Sequence, residues 1–353
     1  MDAQYLEILK TGDKLLLIQT AFIGDCILTL PLIAALKEKL PGVIIDIVTT
    51  PNSQEIFESY DAVNRVYSFD KKGKDRPISA VIAFAGMLKK ENYKLVISAH
   101  RSARTSLLVT MLGIKESYGF ENSSMKFVYS NTIPYEYEKH EAHRNLRFLG
   151  EIAGSINPET FRYNLAMPES EAKLIEEVIT GAAGKKIVVV APGTEWNTKQ
   201  YPMDYFSSVC GYLLDKGYLV AVNGSKKDSK LAEKLAADNG NNLLNLCGSF
   251  SIPGTINLLR HCELLISNDS SPVHMGLIAG IKVLTLYCST VPEFGFYPLG
   301  KGSSWLSVED LDCKPCGIHG RKHCPLEHFN CGRLLLPELV TRKIDELLDN
   351  DIK

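Results

Sequence analysis

Polar residues that could do chemistry stand where an apolar strand pattern gives way to a helical one. Gly24 and Asp25 follow the apolar run 14–20 and open a helical pattern over residues 24–40. A carboxylate at this place can act as a general base toward a hydroxyl group. It can equally cap the helix, and the helix dipole then lowers its basicity. Spacing alone leaves both interpretations open.

The same turn argues against a dinucleotide-binding enzyme. The phosphate-binding fingerprint needs three glycines so that the backbone can approach a pyrophosphate. The stretch 20–26 contains only Gly24. A dehydrogenase is therefore disfavoured.

The second half of the chain offers a polar loop over residues 191–202, directly after another apolar run. Lys199, with the hydroxyls of Thr194 and Thr198, can hold a diphosphate and offset the charge that grows on it as it leaves. The alternative is a solvated lysine in an ordinary turn.

A strand-to-helix junction over residues 266–280 is a candidate anion site. Asp269, Ser270 and Ser271 precede a proline at an early helical position, so free backbone N–H groups of the helix can point at a ligand. His274, one turn further, would lie beside a bound phosphate or sugar. The alternatives are an ordinary N-cap and a packed core histidine.

Two further polar clusters follow strand patterns. Asp228, in the segment 224–228, can accept hydrogen bonds from ribose hydroxyls, or it can cap the following helix. His100, Arg101 and Arg104 end a strand of the first half, where guanidinium groups can hold a carboxylate or phosphate of a second substrate. A solvated basic turn is the alternative for this second cluster.

Four of the nine cysteines cluster near the C-terminus, with three histidines between them. Cys-x2-Cys followed by two more cysteines is the usual composition of a tetrahedral zinc or iron site. The later gaps match no common finger spacing, so free or redox thiols remain the alternative. Four thiolates leave no open position, and a structural metal is expected over a catalytic one. The proposed ligands are Cys313, Cys316, Cys324 and Cys331.

These residues need strands and helices that hold them at one edge of a sheet. Strand patterns at 14–20, 43–49 and 94–100 alternate with helical ones, and Pro31 predicts a kink in the first long helix. The order restarts after a polar connection near residues 163–169. Alternation of this kind predicts two α/β, doubly wound parallel-sheet domains that face each other across a cleft. We place them at 1–165 and 166–333, with a cysteine-rich loop at 313–331 and a C-terminal helix at 334–353 that packs back on the first domain.

Composition limits the partners of the protein. Its 353 residues suffice for two domains, and a formal net charge of −2 provides no basic field for nucleic acid. No apolar run is long enough to span a bilayer, and the first dozen residues lack the pattern of a signal peptide. We expect a cytoplasmic monomer.

Taken in order, these segments resemble glycosyltransferase family 9, the ADP-heptose:lipopolysaccharide heptosyltransferases. The resemblance covers nearly the whole chain and is most specific in SNDSSPVHMGLIAGIKVLTLYCSTVPEFGFYPLG, which begins at Ser267. It implies a GT-B architecture with two Rossmann-like domains. The first would bind the acceptor and the second the nucleotide-sugar donor.

The resemblance also implies roles for individual residues. Asp25 would deprotonate the acceptor hydroxyl, and Lys199 would hold the donor phosphates. Asp228 would hold the ribose, while the segment from Asp269 to His274 would surround the diphosphate and sugar. Gly24, His100, Arg101 and Arg104 are expected at the acceptor. No metal or other cofactor would be needed for the chemistry.

The function implied is an inverting transfer of heptose from ADP-heptose to an anionic, lipid-linked acceptor, the lipopolysaccharide inner core. The enzyme would then contact the inner face of the inner membrane peripherally. One alternative is a related transferase for another surface polysaccharide or for protein. Others are a non-catalytic, metal-stabilised binding protein of the same fold and a nucleotide-sugar epimerase.

Overall fold

The computed structural model describes residues 3–349, and the chain divides into two compact units, Met1–Ala166 and Met167–Lys353. Each unit is built on a six-stranded sheet flanked by helices. Neighbouring strands in both sheets are paired in parallel, as the alternating pattern predicts.

The first unit contains six strands and six α-helices. Its strands are β1 Lys14–Ile18, β2 Ile44–Thr49, β3 Arg65–Ser68, β4 Leu95–Ser98, β5 Glu116–Phe120 and β6 Asn131–Ile133. Its α-helices are α1 Ile23–Ile27, α2 Leu30–Lys39, α3 Gln54–Glu58, α4 Ile78–Lys89, α5 Ala103–Leu112 and α6 Glu141–Leu146. Short 3-10 helices lie at Ala3–Ile8, Pro51–Ser53, Lys126–Val128 and Arg147–Ser155.

The second unit repeats this plan. Its strands are β7 Ile187–Ala191, β8 Leu219–Val222, β9 Leu244–Asn245, β10 Leu264–Asn268, β11 Lys282–Tyr287 and β12 Ser304–Ser307. Its α-helices are α7 Glu169–Gly181, α8 Met203–Asp215, α9 Ser229–Asp238, α10 Ile252–Leu259, α11 Ser271–Ala279, α12 Asn330–Arg333 and α13 Pro337–Asp349. Its 3-10 helices lie at Asn197–Lys199, Lys226–Asp228 and Pro292–Phe294.

Strand order reverses at one point in each sheet. The first sheet runs β3-β2-β1-β4-β5-β6, and the second runs β12-β11-β10-β7-β8-β9. The chain therefore leaves β1 and β4, and likewise β7 and β10, toward opposite sides of the sheet. Ligands of open α/β sheets bind beyond the carboxyl ends of the strands at such switch points.

The predicted long helix at 24–40 is two helices in the structure. The break falls at Leu28 and Thr29, and Pro31 lies in the first turn of α2, where its missing N–H costs nothing. The interruption expected near Pro31 is therefore present, but it separates two helices and is not a kink within one. The consequence is that Asp25 lies on a five-residue helix of its own.

The C-terminal helix α13 is amphipathic and belongs to the second unit. Val340 and Ile344 are buried in the same apolar cluster as residues of β7, β8 and α8. The Tyr212 hydroxyl of α8 donates to the carboxylate of Asp345. Packing of this helix on the first domain stays a prediction.

One glycine shows how closely α11 lies on its sheet. A Cβ added at Gly276 would stand 2.3 Å from Cγ2 of Val283 on β11. Only glycine therefore allows α11 to keep this distance, and the helix start is placed directly above the switch point.

Of the helices in the described part of the chain, none combines the length and the apolar character needed to cross a bilayer.

Candidate active site

The loops that follow β1 and β4 are joined at the switch point of the first unit. The Thr20 hydroxyl lies 2.9 Å from Nδ1 of His100 and 3.1 Å from the Thr105 hydroxyl. The Ser102 hydroxyl, 3.3 Å from the same nitrogen, also caps α5 by accepting from the Thr105 N–H. His100 thus holds two loops together.

His100 is neutral in this position. Burial lowers its pKa to about 3, and the nearby positive charges of Lys71 and Arg101 add to the effect. A neutral imidazole whose Nδ1 is occupied by hydroxyl groups suits a positioning role. Its predicted contact with an acceptor stays a prediction.

Asp25 lies in the first turn of α1, half-buried, with Gly24 beside it. Burial is the main cause that raises the pKa of its carboxyl to about 7, and the charge of Glu141 adds to the rise. Hydrogen bonds from the backbone at Asp25 and Phe22 and the charge of Arg101 oppose it. The capping contact is therefore present, but burial outweighs it, and the carboxyl can exchange a proton near neutral pH.

Glu141 is a site residue that the sequence reasoning missed. It is buried at the start of α6, accepts a hydrogen bond of 2.6 Å from the Tyr135 hydroxyl and pairs with Arg144 at 3.0 Å. Arg144 is itself buried and also donates to the carbonyl of Glu136. The only signal available in the sequence was an acidic residue followed by a basic residue three positions later, in EAHR.

Cationic groups surround this region of the first unit. The Arg101 guanidinium lies 4.0 Å from the centre of the Tyr135 ring. Arg104 donates to the backbone carbonyls of Asp75 and Arg76 and so holds the loop that carries Lys71. Burial, with the charge of Lys72, lowers the pKa of Lys71 to about 8, and Asp25 partly offsets this. Lys71 was not foreseen because it follows β3, a strand that the sequence pattern does not predict.

In the second unit, the residues after β7 and β10 meet as an ion pair. Nζ of Lys199 lies 2.6 Å from Oδ2 of Asp269, and the Thr290 hydroxyl donates to the same oxygen at 2.6 Å. Both charged side chains are largely buried. An ammonium group has three N–H donors, so pairing with Asp269 leaves capacity for phosphate oxygens.

Asn268 joins the two loops that carry this pair. Its amide nitrogen donates to the carbonyl of Pro192 at 2.7 Å, and its oxygen accepts from the Tyr201 N–H at 2.9 Å. The side chain is fully buried at the end of β10. Both of its polar atoms thus fix the position of the Lys199 loop.

The two predicted threonines of this loop have different surroundings. The Thr194 hydroxyl accepts from the Trp196 N–H at 3.2 Å and so shapes the turn. Thr198 is buried, and its hydroxyl lies 2.9 Å from that of Ser289 and accepts from the Arg321 N–H at 2.7 Å. The structure therefore gives Thr198 partners in the cysteine-rich loop instead of a free hydroxyl.

The start of α11 follows Asp269 directly. Ser270 is the N-cap residue, and in the described chain its hydroxyl makes no capping bond to α11 but lies 3.5 Å from the carbonyl of Gly193. Ser271 is the first helical residue. His274, one turn on, is buried, and burial lowers its pKa to about 4, so its ring is neutral.

Asp228 lies against the same group of loops. A Cβ added at Gly193 would stand 2.3 Å from Oδ1 of Asp228, which shows how close the loops after β7 and β8 come. The other carboxylate oxygen accepts from the N–H and the hydroxyl of Ser225 in a capping box. Asp228 therefore makes the capping contact, and its contact with ribose stays a prediction.

The cysteine-rich loop brings its four cysteines to one cavity of about 290 Å³, with Arg321 and His328 among the other lining residues. All four are free thiols, and Cys331 is the most buried. Within residues 3–349, however, no three His, Cys, Asp or Glu side chains stand together as a ligand set for a metal. Thiols are suitable ligands for zinc or iron. In the described residues, however, these side chains do not converge on one point as metal ligands would.

Two Rossmann-like units, each built on a parallel sheet whose strand order reverses at one point, are the GT-B architecture of glycosyltransferases. Residues 81–328 match the model of glycosyltransferase family 9 (heptosyltransferase), which covers more than half of the chain. The protein belongs to glycosyltransferase family 9.

Relatives support this assignment along nearly the full chain. Lipooligosaccharide heptosyltransferase 2 of Campylobacter jejuni subsp. jejuni serotype O:6 is 25% identical over 338 residues, which cover 92% of this chain and 96% of that protein. The glycosyl transferase family 9 structure from Veillonella parvula has a TM-score of 0.82 at 20% identity and covers 99% and 98% of the two chains. E. coli heptosyltransferase WaaC with ADP has a TM-score of 0.70 at 19% identity, covering 95% and 99%.

Proposed function

We propose that this glycosyltransferase moves a heptose from ADP-heptose to a lipopolysaccharide inner-core acceptor, with inversion at the anomeric carbon. The observation that carries the proposal is the Asp25 carboxyl, whose pKa is raised to about 7 in the turn after β1. A base with this pKa is matched to proton removal at neutral pH. The Campylobacter relative named as a heptosyltransferase and the ADP-bound WaaC structure support the choice of sugar and nucleotide.

In the proposed step, the oxygen of an acceptor hydroxyl attacks the anomeric carbon of the donor. A C–O bond forms to the acceptor, and the bond between the anomeric carbon and the phosphate oxygen breaks. ADP leaves with the bonding electron pair, and Asp25 takes the hydroxyl proton. Attack from the side opposite to ADP inverts the anomeric configuration.

The donor phosphates are assigned to Lys199 and to the start of α11. The ammonium of Lys199 carries positive charge where the leaving diphosphate gains negative charge. The first N–H groups of α11, next to Ser270 and Ser271, are natural donors to the same anion. Asp269 holds Lys199 in place at 2.6 Å, and neutral His274 would lie against the sugar. Because these groups supply the positive charge, the mechanism needs no divalent metal.

The acceptor is assigned to the cationic side chains of the first unit. Arg101, Arg104 and Lys71 can bind carboxylate or phosphate groups of an inner-core glycan. Such an acceptor is lipid-linked, so the enzyme would work as a peripheral protein at the inner membrane. A monomer and a cytoplasmic location stay predictions.

The deciding test is a transfer assay with purified protein. ADP-, UDP- and GDP-sugars are first screened by calorimetry, and the best donor is then offered with heptose-deficient inner-core lipopolysaccharide. We expect ADP-heptose to bind best and the product linkage, read by NMR, to be inverted. Transfer only to another polysaccharide or to protein would keep the family and refute the acceptor. Consumption of the nucleotide sugar without acceptor would indicate an epimerase.

We further propose that Cys313, Cys316, Cys324 and Cys331 hold a structural zinc or iron ion. The support is that four thiols line one cavity and leave no position open for substrate. Elemental analysis of the purified protein tests this directly. A metal content near one ion per chain is expected, and its absence from protein purified without chelators would refute the proposal.

A further inference from the structure

We infer that the cysteine-rich loop, residues 313–331, positions Lys199 for its donor. The inference rests on the proposed role of Lys199 as the ligand of the diphosphate. It assigns a catalytic consequence to a loop for which composition suggested only a structural one. The observations that carry it are contacts between this loop and the short helix Asn197–Lys199.

The first contact is a reciprocal pair of hydrogen bonds between Thr198 and Arg321. Its N–H donates to the carbonyl of Arg321 at 3.0 Å, and the Arg321 N–H donates back to the Thr198 hydroxyl at 2.7 Å. The Cys316 N–H donates to the carbonyl of Ser289, whose hydroxyl also contacts Thr198. The loop is thus fastened at two points next to Lys199.

The second contact is made by Gly320 on the lysine stem. Gly320 has φ +78, and a Cβ added there would stand 2.9 Å from Cγ of Lys199 and 3.1 Å from the Thr198 hydroxyl. The loop backbone therefore lies directly on the aliphatic part of the lysine. Beside it, the rings of Trp196 and His319 stack with 13° between their planes.

These contacts complete the restraint on Lys199. Asp269 fixes the ammonium group, and the cysteine-rich loop covers the stem, so the side chain is ordered before any donor binds. A lysine side chain held in its binding conformation avoids the entropic cost of being ordered when the ligand binds. The loop should therefore improve donor affinity without contacting the donor.

The loop offers a matched pair of variants. Gly320→Ala places a methyl group against Lys199. Gly317 also has positive φ, +101, but among the described residues no atom lies within 4 Å of the Cβ that Gly317→Ala would add. Both substitutions place alanine at a positive φ, and only Gly320→Ala touches the lysine. Thr198→Val and Thr198→Ser form a second pair, since serine keeps the hydroxyl.

The expected result is a rise of roughly 3- to 10-fold in donor KM and in the ADP dissociation constant for Gly320→Ala. The acceptor KM should stay unchanged, and Gly317→Ala should match wild type in all three values. Thr198→Val should weaken ADP binding similarly, and Thr198→Ser should restore it. Equal effects of Gly320→Ala and Gly317→Ala, at equal melting temperatures, would overturn the inference.

A double variant separates this inference from the function on which it rests. If Lys199→Ala leaves ADP affinity unchanged, the assignment of Lys199 itself fails. If Lys199→Ala weakens binding and Gly320→Ala in that background weakens it further by its full factor, the loop does not act through Lys199. No further loss in the double variant is the supporting result.

A different observation, on the surface of the first unit, carries a second proposal. Helix α4 presents Ile78, Ile82 and Met87 to solvent with exposed fractions of 63%, 55% and 42%. Its opposite face packs into the core through Val81, Ala85 and Leu88, which are buried. The exposed apolar residues of α4 are therefore not the ones that pack into the core.

Charge around α4 indicates what covers this face. Between residues 71 and 94 the chain has seven lysines and arginines against two acidic residues, although the whole chain carries −2. Lys89 and Lys90 lie at the end of the helix. An apolar helix face flanked by basic residues is the composition of a helix that lies in an anionic lipid surface. We propose that α4 docks the enzyme on an anionic bilayer.

Co-sedimentation with vesicles tests this proposal on the full chain. Vesicles with one-third phosphatidylglycerol should bind the protein, neutral phosphatidylcholine vesicles should bind it far less, and salt should weaken the binding. Replacing Lys89 and Lys90 by Gln together should lower the partition coefficient roughly 10- to 30-fold at low salt. Ile82→Ser and Met87→Ser should each lower it about 3- to 10-fold.

Leu339→Ser is the matched control for Met87→Ser, because Leu339 on α13 is also 42% exposed. It should leave vesicle binding unchanged. Equal loss from Leu339→Ser, or no binding of the wild-type protein to anionic vesicles, would overturn the proposal. So would a concentration-dependent dimer that Ile82→Ser disrupts, since a second copy would then be the partner of α4.

Discussion

The two switch points carry the same kind of side chain, a carboxylate, in opposite circumstances. Asp25 in the first unit is half-buried, and burial together with Glu141 raises its pKa to about 7. Asp269 in the second unit is paired at 2.6 Å with Lys199 and bonded to Thr290. The switch points of two similarly built units therefore carry carboxylates that serve different chemistry, and the neighbouring residues decide which. One carboxyl can take up a proton, whereas the other holds a cation.

The largest effect should come from removing the basic carboxylate. Asp25→Asn keeps the shape of the side chain but cannot accept the proton, and we expect kcat to fall roughly 10²- to 10⁴-fold. Asp25→Ala should abolish transfer in the same way. Calorimetry should show ADP binding largely intact in both variants. Turnover at the wild-type rate in either variant would show that Asp25 is not the general base.

Removing the cation of the second unit should act on binding. Lys199→Ala should weaken ADP binding by about 1.5 to 3 kcal/mol, the range for a hydrogen bond to a charged group. Lys186→Ala is the control, because Lys186 forms an exposed pair with Glu263 at 3.3 Å. Its ADP affinity should equal that of wild type. A loss of kcat with unchanged ADP affinity in Lys199→Ala would contradict the assignment.

The pH profile examines why the two carboxylates differ. A general base must be deprotonated, so kcat/KM should rise with pH and level off above a midpoint near 7. Glu141→Gln removes a negative charge that raises the pKa of Asp25, and the midpoint should move to lower pH. Glu138→Gln, at an exposed position of the same segment, should leave it in place. A shift in the opposite direction would show that Glu141 does not act on Asp25 through its charge.

The smallest expected effect is on stability. The pKa of Asp25 rises from 3.8 to about 7 on folding, so the folded state binds the extra proton, and stability falls as pH rises from about 4 to 7. Asp25→Asn does not lose stability in this pH range, because asparagine does not titrate. Its melting temperature should exceed that of wild type by several degrees at pH 8. The difference should vanish at pH 4, and a constant difference at all pH values would contradict the pKa.

Sequence patterns predict the central strands and miss most of the outer ones. β1, β2, β4, β7, β8, β10 and β11 are buried and mostly apolar, and each was expected as a strand. The short edge strand β9 falls in an expected strand pattern at 241–247, whereas β3, β5, β6 and β12 were not expected. They are short or partly polar and lie at or near a sheet edge, as RVYS of β3 shows. An edge strand buries less of each face, so its sequence does not need the apolar run that marks a central strand.

In the candidate site, too, features of the local sequence could be predicted, whereas contacts between distant residues could not. The turns that carry Asp25, Lys199 and Asp269 are visible as strand-to-helix junctions in the sequence. The ion pair between Lys199 and Asp269 joins residues that are 70 positions apart, and the burial of Glu141 depends on packing against Tyr135. Spacing along the chain cannot show either contact. Glu141, Lys71 and the contact of Gly320 with Lys199 were therefore found only in three dimensions.

The side chain of Asn268 sets a limit on how the donor loop can vary. Because it is fastened to Pro192 on one side and to Tyr201 on the other, the stretch between these two residues is held at both ends. Substitutions between these ends that spare Lys199 can thus be tolerated while the contacts of Asn268 keep their geometry. Insertions beyond these limits, or an aspartate at position 268, would instead loosen the whole loop, since a carboxylate cannot donate to the Pro192 carbonyl. The stretch 193–200 is therefore a short segment that can vary between two fixed ends.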